Sequence, residues 1–202
     1  MNIEAKGRDN ISYTVGMDLG SIKLNGFDVF LFGTPGLLQF SVMRDVIVSG
    51  ADGIIFMFDA AHPEKDDDAI TILNSIRDLL EPNQPFVFLA NKQDIKGARS
   101  PEVIKVQNKL PKNSKIFPTS TVKGLNIHES LKYLVNEIYE NYSSLIQFLR
   151  GFESDIEGLA KKLKKDKIQT RDFLNSLEVK RFIEINRTNR TFKVREGLKS
   201  II

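Results

Sequence analysis

The chain has 202 residues, 41% of them hydrophobic and 27% charged, with no Cys and a formal net charge of +3. These figures exclude a disordered chain, a disulfide scaffold, thiol catalysis and cysteine lipidation. With no apolar run near the ~18 residues of a membrane span, and no apolar leader, they point to a cytoplasmic protein without a transmembrane segment. Charge is uneven: residues 1–142 hold 15 Lys+Arg against 18 Asp+Glu, and residues 143–202 hold 14 against 8, an acidic body with a basic tail.

Residues 1–13 are polar and show no usable periodicity. Two apolar-rich runs, 21–24 and 27–32, flank Asn25-Gly26, the strongest short hairpin signal because both turn residues tolerate positive φ. Gly33-Thr34-Pro35-Gly36 is a tight loop, and residues 37–49 read as a helix. Residues 53–58 and 86–90 are continuous apolar runs, the pattern of strands buried on both faces. Between them, residues 66–80 carry a helical stripe of Ile70, Leu73, Ile76, Leu79 and Leu80. A helix opens at Pro101 and runs to 110, Ile116-Phe117 is a short strand, and residues 126–142 form a long helix. Strands alternating with helices predict an α/β fold, a doubly wound, mostly parallel sheet.

After residue 142 the texture changes. Two short helices are expected at 144–152 and 155–164 and a third at 169–177, followed by alternating runs 181–186 and 190–195 around a polar turn. Three helices and a hairpin are the layout of a winged helix, its polar break and third helix resembling a helix-turn-helix. The expected domains are therefore 1–142 and 143–202.

The chemistry concentrates in Asn91-Lys92-Gln93-Asp94, which follows a buried strand at the edge where doubly wound sheets bind ligands. A fixed carboxylate at Asp94 can accept two parallel hydrogen bonds from the N1–H and exocyclic amino group of guanine, an arrangement adenine does not offer. Asn91 can tie its loop to a neighbour, and the aliphatic stem of Lys92 can lie over a base. The plainer reading is a polar turn capping the helix that starts near Pro101.

Three further segments accompany it in order: Tyr13-Thr14-Val15-Gly16-Met17-Asp18, Gly33-Thr34-Pro35-Gly36 and residues 119–126, Thr-Ser-Thr-Val-Lys-Gly-Leu-Asn. Together the four segments resemble the small GTPases, and within them the Arf-like and bacterial gliding-GTPase-type branches, across residues 13–142. The resemblance implies a GTP/GDP-binding switch with Mg²⁺. Thr14 would ligate the metal and sense the γ-phosphate, and the Gly36 amide would touch that phosphate. Asn91, Lys92 and Asp94 would select guanine, with Ser120, Thr121 and Val122 in the loop that holds the base. Protein regulators and effectors are the implied partners.

The chain departs from that family in three places. G-x-x-x-x-G-K-[ST], which supplies amides, a Lys and a hydroxyl around the phosphates, does not occur, and 13 residues before Thr14 are too few to hold its strand, loop and helix. The expectation is an N-terminal truncation, with a nucleotide-free pseudo-GTPase, acting as an interaction or DNA-binding regulatory module, as the alternative. Gly33 stands where the family usually has a carboxylate near Mg²⁺, although related branches share Gly-Thr-Pro-Gly. Leu37 occupies the position of the water-orienting glutamine, so hydrolysis is expected to be slow. For the basic tail two uses compete with plain solvation. One is docking on the body or a partner. The other is binding nucleic acid, with Arg171 and Asn175 toward bases and Arg187, Arg190, Lys161, Lys162, Lys164 and Lys165 toward phosphates. His62 and His128 have no metal-ligand spacing and are read as surface residues.

Overall fold

The structure is a computed structural model and describes residues 4–6, 12–14, 18–24, 27–36, 38–81 and 83–195. The Asn25-Gly26 turn, Val15, Gly16, Met17 and Leu37 lie outside the described residues. The chain forms two compact units, residues 1–20 with 30–138 and residues 21–29 with 139–202.

In the first unit, β1 (Glu4–Lys6) and β2 (Ser12–Thr14) pair antiparallel, in a stretch whose sequence shows no strand period. β3 (Asp18–Leu24) and β4 (Phe27–Gly33) make a separate two-stranded sheet, whose residues 21–24 and 27–29 belong to the second unit. After a short 3-10 turn comes α1 (Ser41–Gly50). The centre of the unit is a three-stranded parallel sheet in the order β5 (Ile54–Asp59), β6 (Phe86–Asn91), β7 (Lys115–Pro118). Ile54 lies opposite Phe86 and Asp59 opposite Asn91, so the two polar strand ends finish level.

Successive side chains on β5 and β6 point to opposite faces, and both faces of β6 are covered. Phe58 and Phe88 turn to one side, where they pack with Leu73 and Ile76 of α2 (Asp66–Arg77) and Ile104 of α3 (Pro101–Gln107). Val87 and Leu89 turn to the other and meet Leu134 of α4 (Ile127–Arg150). Such two-sided burial is why β6 reads as an unbroken apolar run rather than an alternating one. Gly53 lets α4 approach the start of β5: a Cβ there would sit 2.9 Å from Ile138 Cδ1 and 3.0 Å from Leu134 Cδ1.

The long helix differs from expectation. The sequence predicts two helices broken near residue 143, but α4 runs unbroken for 24 residues. No Gly or Pro interrupts residues 127–150, and Tyr139, Ile146 and Leu149 keep one apolar stripe going through the two serines, Ser143 and Ser144.

In the second unit the end of α4 packs with α5 (Ile156–Leu163), α6 (Lys167–Val179) and the antiparallel pair β8 (Ile183–Asn186) and β9 (Thr191–Val194). Its core is Leu149, Leu159, Leu174, Leu177, Phe182, Ile183 and Phe192. Asp155 caps α5 through the Gly158 amide, and Asp166 with Gln169 forms a reciprocal capping box on α6. The amides of Phe192 and Val194 bond the main chain and carboxylate of Glu153, pinning β9 to the loop after α4.

Candidate functional site

β6 delivers Asn91 to the sheet edge, buried, with Lys92 reversing the chain at φ +70°. The Asn91 side-chain oxygen accepts from the Thr121 amide at 3.2 Å and the Thr119 hydroxyl at 3.4 Å. The Gln93 amide donates to the Thr119 carbonyl at 3.0 Å. The loops after β6 and β7 are thus stitched together by their own polar groups, and the Thr119–Lys123 side of the stitch turns on Gly124 at φ +68°. Ser120 and Leu125 close that turn with two backbone hydrogen bonds.

Asp94 is exposed, and one of its oxygens accepts from the Ser120 hydroxyl at 2.5 Å; that hydroxyl in turn accepts from the Lys123 amide at 3.1 Å. The Ser120 hydroxyl, the residue's own amide and the charges of Lys123 and Lys92 hold the Asp94 carboxyl below the usual carboxylate range. It is ionised at neutral pH and oriented, as an acceptor for a ligand with adjacent N–H donors must be. The plainer reading of Asn91–Asp94 as a helix cap fails, because the cap of α3 is Ser100, whose hydroxyl accepts from the Val103 amide.

A second cluster backs this loop. The Lys92 ammonium lies 2.8 Å from Asp59 at the end of β5, and His62 Nδ1 lies 3.0 Å from the same carboxylate. Burial pushes the Asp59 carboxyl up, but hydrogen bonds from Lys92 and His62 outweigh it and the net displacement is downward. His62 thus lies at the surface, as the sequence suggests, with Asp59 as its partner. Arg99 closes the loop at its other end. It forks onto Asp66 at 2.6 and 3.0 Å and donates to the Asp59 carbonyl at 2.9 Å and the Ala60 carbonyl at 3.3 Å. Its own carbonyl accepts from Gln93 Nε2 at 2.8 Å.

The structure thus brings together Asn91, Lys92, Asp94, Ser120 and Thr121, with Val122 exposed at the turn. Gly36 is exposed after the buried Pro35, whose carbonyl accepts from Arg44 at 3.0 Å. Thr14 lies in β2, its side chain outside the described residues. In the second unit, Arg171 and Arg190 are exposed and Asn175 half-buried; Arg171 lies 3.4 Å from Asp172, and Arg187 is tied to Glu178 at 2.6 Å. Sequence reasoning missed Asp59, Asp66 and Arg99. The position of Asp59 at the end of an apolar strand was a usable signal; an arginine in a polar loop carries none.

The profile of the ADP-ribosylation factor family matches residues 2–138. An uncharacterized protein of Methanocaldococcus jannaschii is 27% identical over 128 residues, 62% of this chain and 73% of that protein. Ras-related protein RABA2a of Arabidopsis thaliana is 23% identical over 110 residues, 54% of this chain and 51% of its own. Ras-related protein RabZ of Dictyostelium discoideum is 27% identical over 130 residues, 61% of this chain and 56% of its own. The chain thus spans about half the length of the two Ras-related proteins it matches.

Proposed function

The chain belongs to the ADP-ribosylation factor family, and we propose from that premise that its first unit is the base-binding part of a guanine-nucleotide switch. One observation carries the reading: Ser120 fixes an ionised Asp94 at 2.5 Å while Asn91 locks the two loops around it. Guanine offers that carboxylate two parallel donors, N1–H and the exocyclic amine, and adenine in the same pose offers an acceptor, leaving the carboxylate repelled. The donor set therefore fits a GTP or GDP base.

Thr14, the residue that the resemblance offers to Mg²⁺, has its side chain outside the described residues, and no three His, Asp or Glu side chains converge on a metal position among those described. Nor is a phosphate cradle at hand, because no Gly-Lys-Ser/Thr tripeptide occurs in these 202 residues. An incomplete sheet supports the idea that a phosphate-binding segment is wanting. β5 pairs only with β6 and β4 only with β3 among the described residues. Yet Phe30 and Phe32 of β4 are 54% and 50% exposed, and Met57 of β5 47%. Apolar strands of this kind call for a neighbour. Leu37, at the position of the water-orienting glutamine, further implies slow hydrolysis when GTP is bound. The runner-up, a regulatory module that has lost nucleotide, rests on the same missing cradle.

Fluorescent GDP and ADP analogues titrated into this chain and into a form extended upstream test the proposal. Guanine-selective binding by either form upholds it. Equal affinity for both bases, or Asp94→Ala leaving selectivity intact, overturns it. Selectivity confined to the extended form assigns the phosphate contacts to the added segment.

A further inference from the structure

Five lysines, Lys161, Lys162, Lys164, Lys165 and Lys167, fall within seven residues at the junction of α5 and α6. All five are exposed, and none has a carboxylate within ion-pair distance among the described residues. That contrasts with Arg99, Arg187 and Arg195, each held by an acid at 2.6–3.1 Å. The one acid inside the run, Asp166, is occupied capping α6. So dense an unpaired like charge opposes folding and is retained most simply for a polyanion.

The element beside the lysines indicates which polyanion. α5, a turn at residues 164–166 and α6 form a helix-turn-helix, with the lysines flanking the first turn of its second helix. The outer side of α6 carries Arg171, exposed and 3.4 Å from the equally exposed Asp172, with Asn175 half-buried one turn on. Arginine and asparagine are side chains that hydrogen-bond base edges, whereas the buried positions Thr170, Leu174 and Leu177 face the core. Arg187 bonds Glu178 of α6 at 2.6 Å and so anchors the β8–β9 hairpin beside that helix, with Arg190 exposed in its turn. An anionic membrane would need apolar side chains projecting among the lysines, and from residue 161 to 171 only Ile168 does so. The deep, narrow major groove of A-form RNA does not admit a helix.

We propose that the second unit binds B-form DNA, α6 entering the major groove while the five lysines neutralise backbone phosphates. This function is independent of the nucleotide reading of the first unit. Five phosphate contacts give a salt slope of about −4.5, or about a 500-fold loss of affinity between 50 and 200 mM salt.

The test is fluorescence anisotropy of a labelled mixed-sequence 24-base-pair duplex titrated with the full chain. Charge reversal of three lysines, K161E with K162E and K165E, flattens the slope to about −1.8; far-UV circular dichroism checks its fold. A second variant, R171A with N175A, leaves the lysines in place, keeps the slope within about one unit and loses preference among pooled duplex sequences. Absence of binding at 50 mM salt overturns the proposal. So does an unchanged slope in the folded triple variant, or an unchanged sequence preference in the double variant. Binding to phosphatidylserine vesicles without binding to duplex overturns it in favour of a membrane surface.

Discussion

Arg99→Ala is the sharpest perturbation of the first unit that touches no proposed ligand contact. The Arg99 and Asp66 side chains are only 11% and 14% exposed, and the guanidinium meets both carboxylate oxygens at 2.6 and 3.0 Å. Truncation leaves Asp66 with Asn108 Nδ2 at 2.7 Å as its remaining side-chain donor. It also removes the side-chain donors to the Asp59 and Ala60 carbonyls. Breaking one side of a buried pair costs roughly 3–5 kcal/mol; with slight exposure and Asn108 retained, about 3 kcal/mol is expected. If opening of residues 93–104 is governed by this clamp, amide protection there falls about 150-fold, at 1.36 kcal/mol per decade. Hydrogen exchange followed by mass spectrometry reads it, with the α5 and α6 amides as an internal reference that does not move. Asp66→Ala added to Arg99→Ala produces little further loss, because the two changes remove one interaction. A fall in protection of less than about fivefold would refute the view that this pair holds the base loop in place.

Three further outcomes follow from the same geometry. Asn91→Ala leaves the Thr121 amide and Thr119 hydroxyl without their buried acceptor, costing about 1–3 kcal/mol in urea unfolding and lowering guanine-nucleotide affinity in parallel. Gly53→Ala places a methyl against Ile138 Cδ1 and Leu134 Cδ1 at 2.9 and 3.0 Å; both are ends of flexible side chains, so the melting point drops by an amount equivalent to about 1–2 kcal/mol rather than collapsing. Asp59, whose carboxyl lies below its ordinary value, contributes stability that is complete above its unfolded value of about 3.9 and is lost as pH falls through the lower folded value. Exchange protection of β5 and β6 therefore declines below about pH 4, and Asp59→Asn flattens that acid dependence; an identical acid profile in the variant would contradict the assignment.

What the sequence disclosed and what it hid differ in physical kind. β6 was legible because burial on both faces demands an unbroken apolar run, and α2 because only one of its sides faces Phe58 and Phe88. Asn91 and Asp94 were legible as polar loop residues because they follow directly on the apolar run of β6. The bond from Ser120 to Asp94 joins residues 26 apart in sequence, and Arg99 reaches Asp66 across 33. Loop residues of this sort show no periodicity, and their partners are set by where the strands end. The missing break in α4 has a different cause. A shift from acidic to basic composition near residue 142 reflects what each unit meets in solution, while helix continuity depends on propensity and stripe, which Tyr139, Ile146 and Leu149 maintain.

The base loops and the phosphates can be separated experimentally, because the two halves of a nucleotide are recognised by different chemistry. The proposed base half is already tied together by its own groups: Asn91 accepts from the Thr121 amide, and Ser120 accepts from the Lys123 amide while donating to the Asp94 carboxylate. Phosphates require clustered amides and a lysine ammonium, and Lys92, the lysine of the Asn91–Asp94 segment, is committed to Asp59 at 2.8 Å. Guanosine and GDP should accordingly bind these 202 residues with affinities within about tenfold of each other, about 1.4 kcal/mol. Competition titrations monitored through the backbone amide resonances of Asp94, Thr121 and Lys123 measure both constants on one sample. A GDP preference above about 100-fold, roughly 2.8 kcal/mol, requires a phosphate cradle built from other residues of this chain and would sink the division of labour argued here.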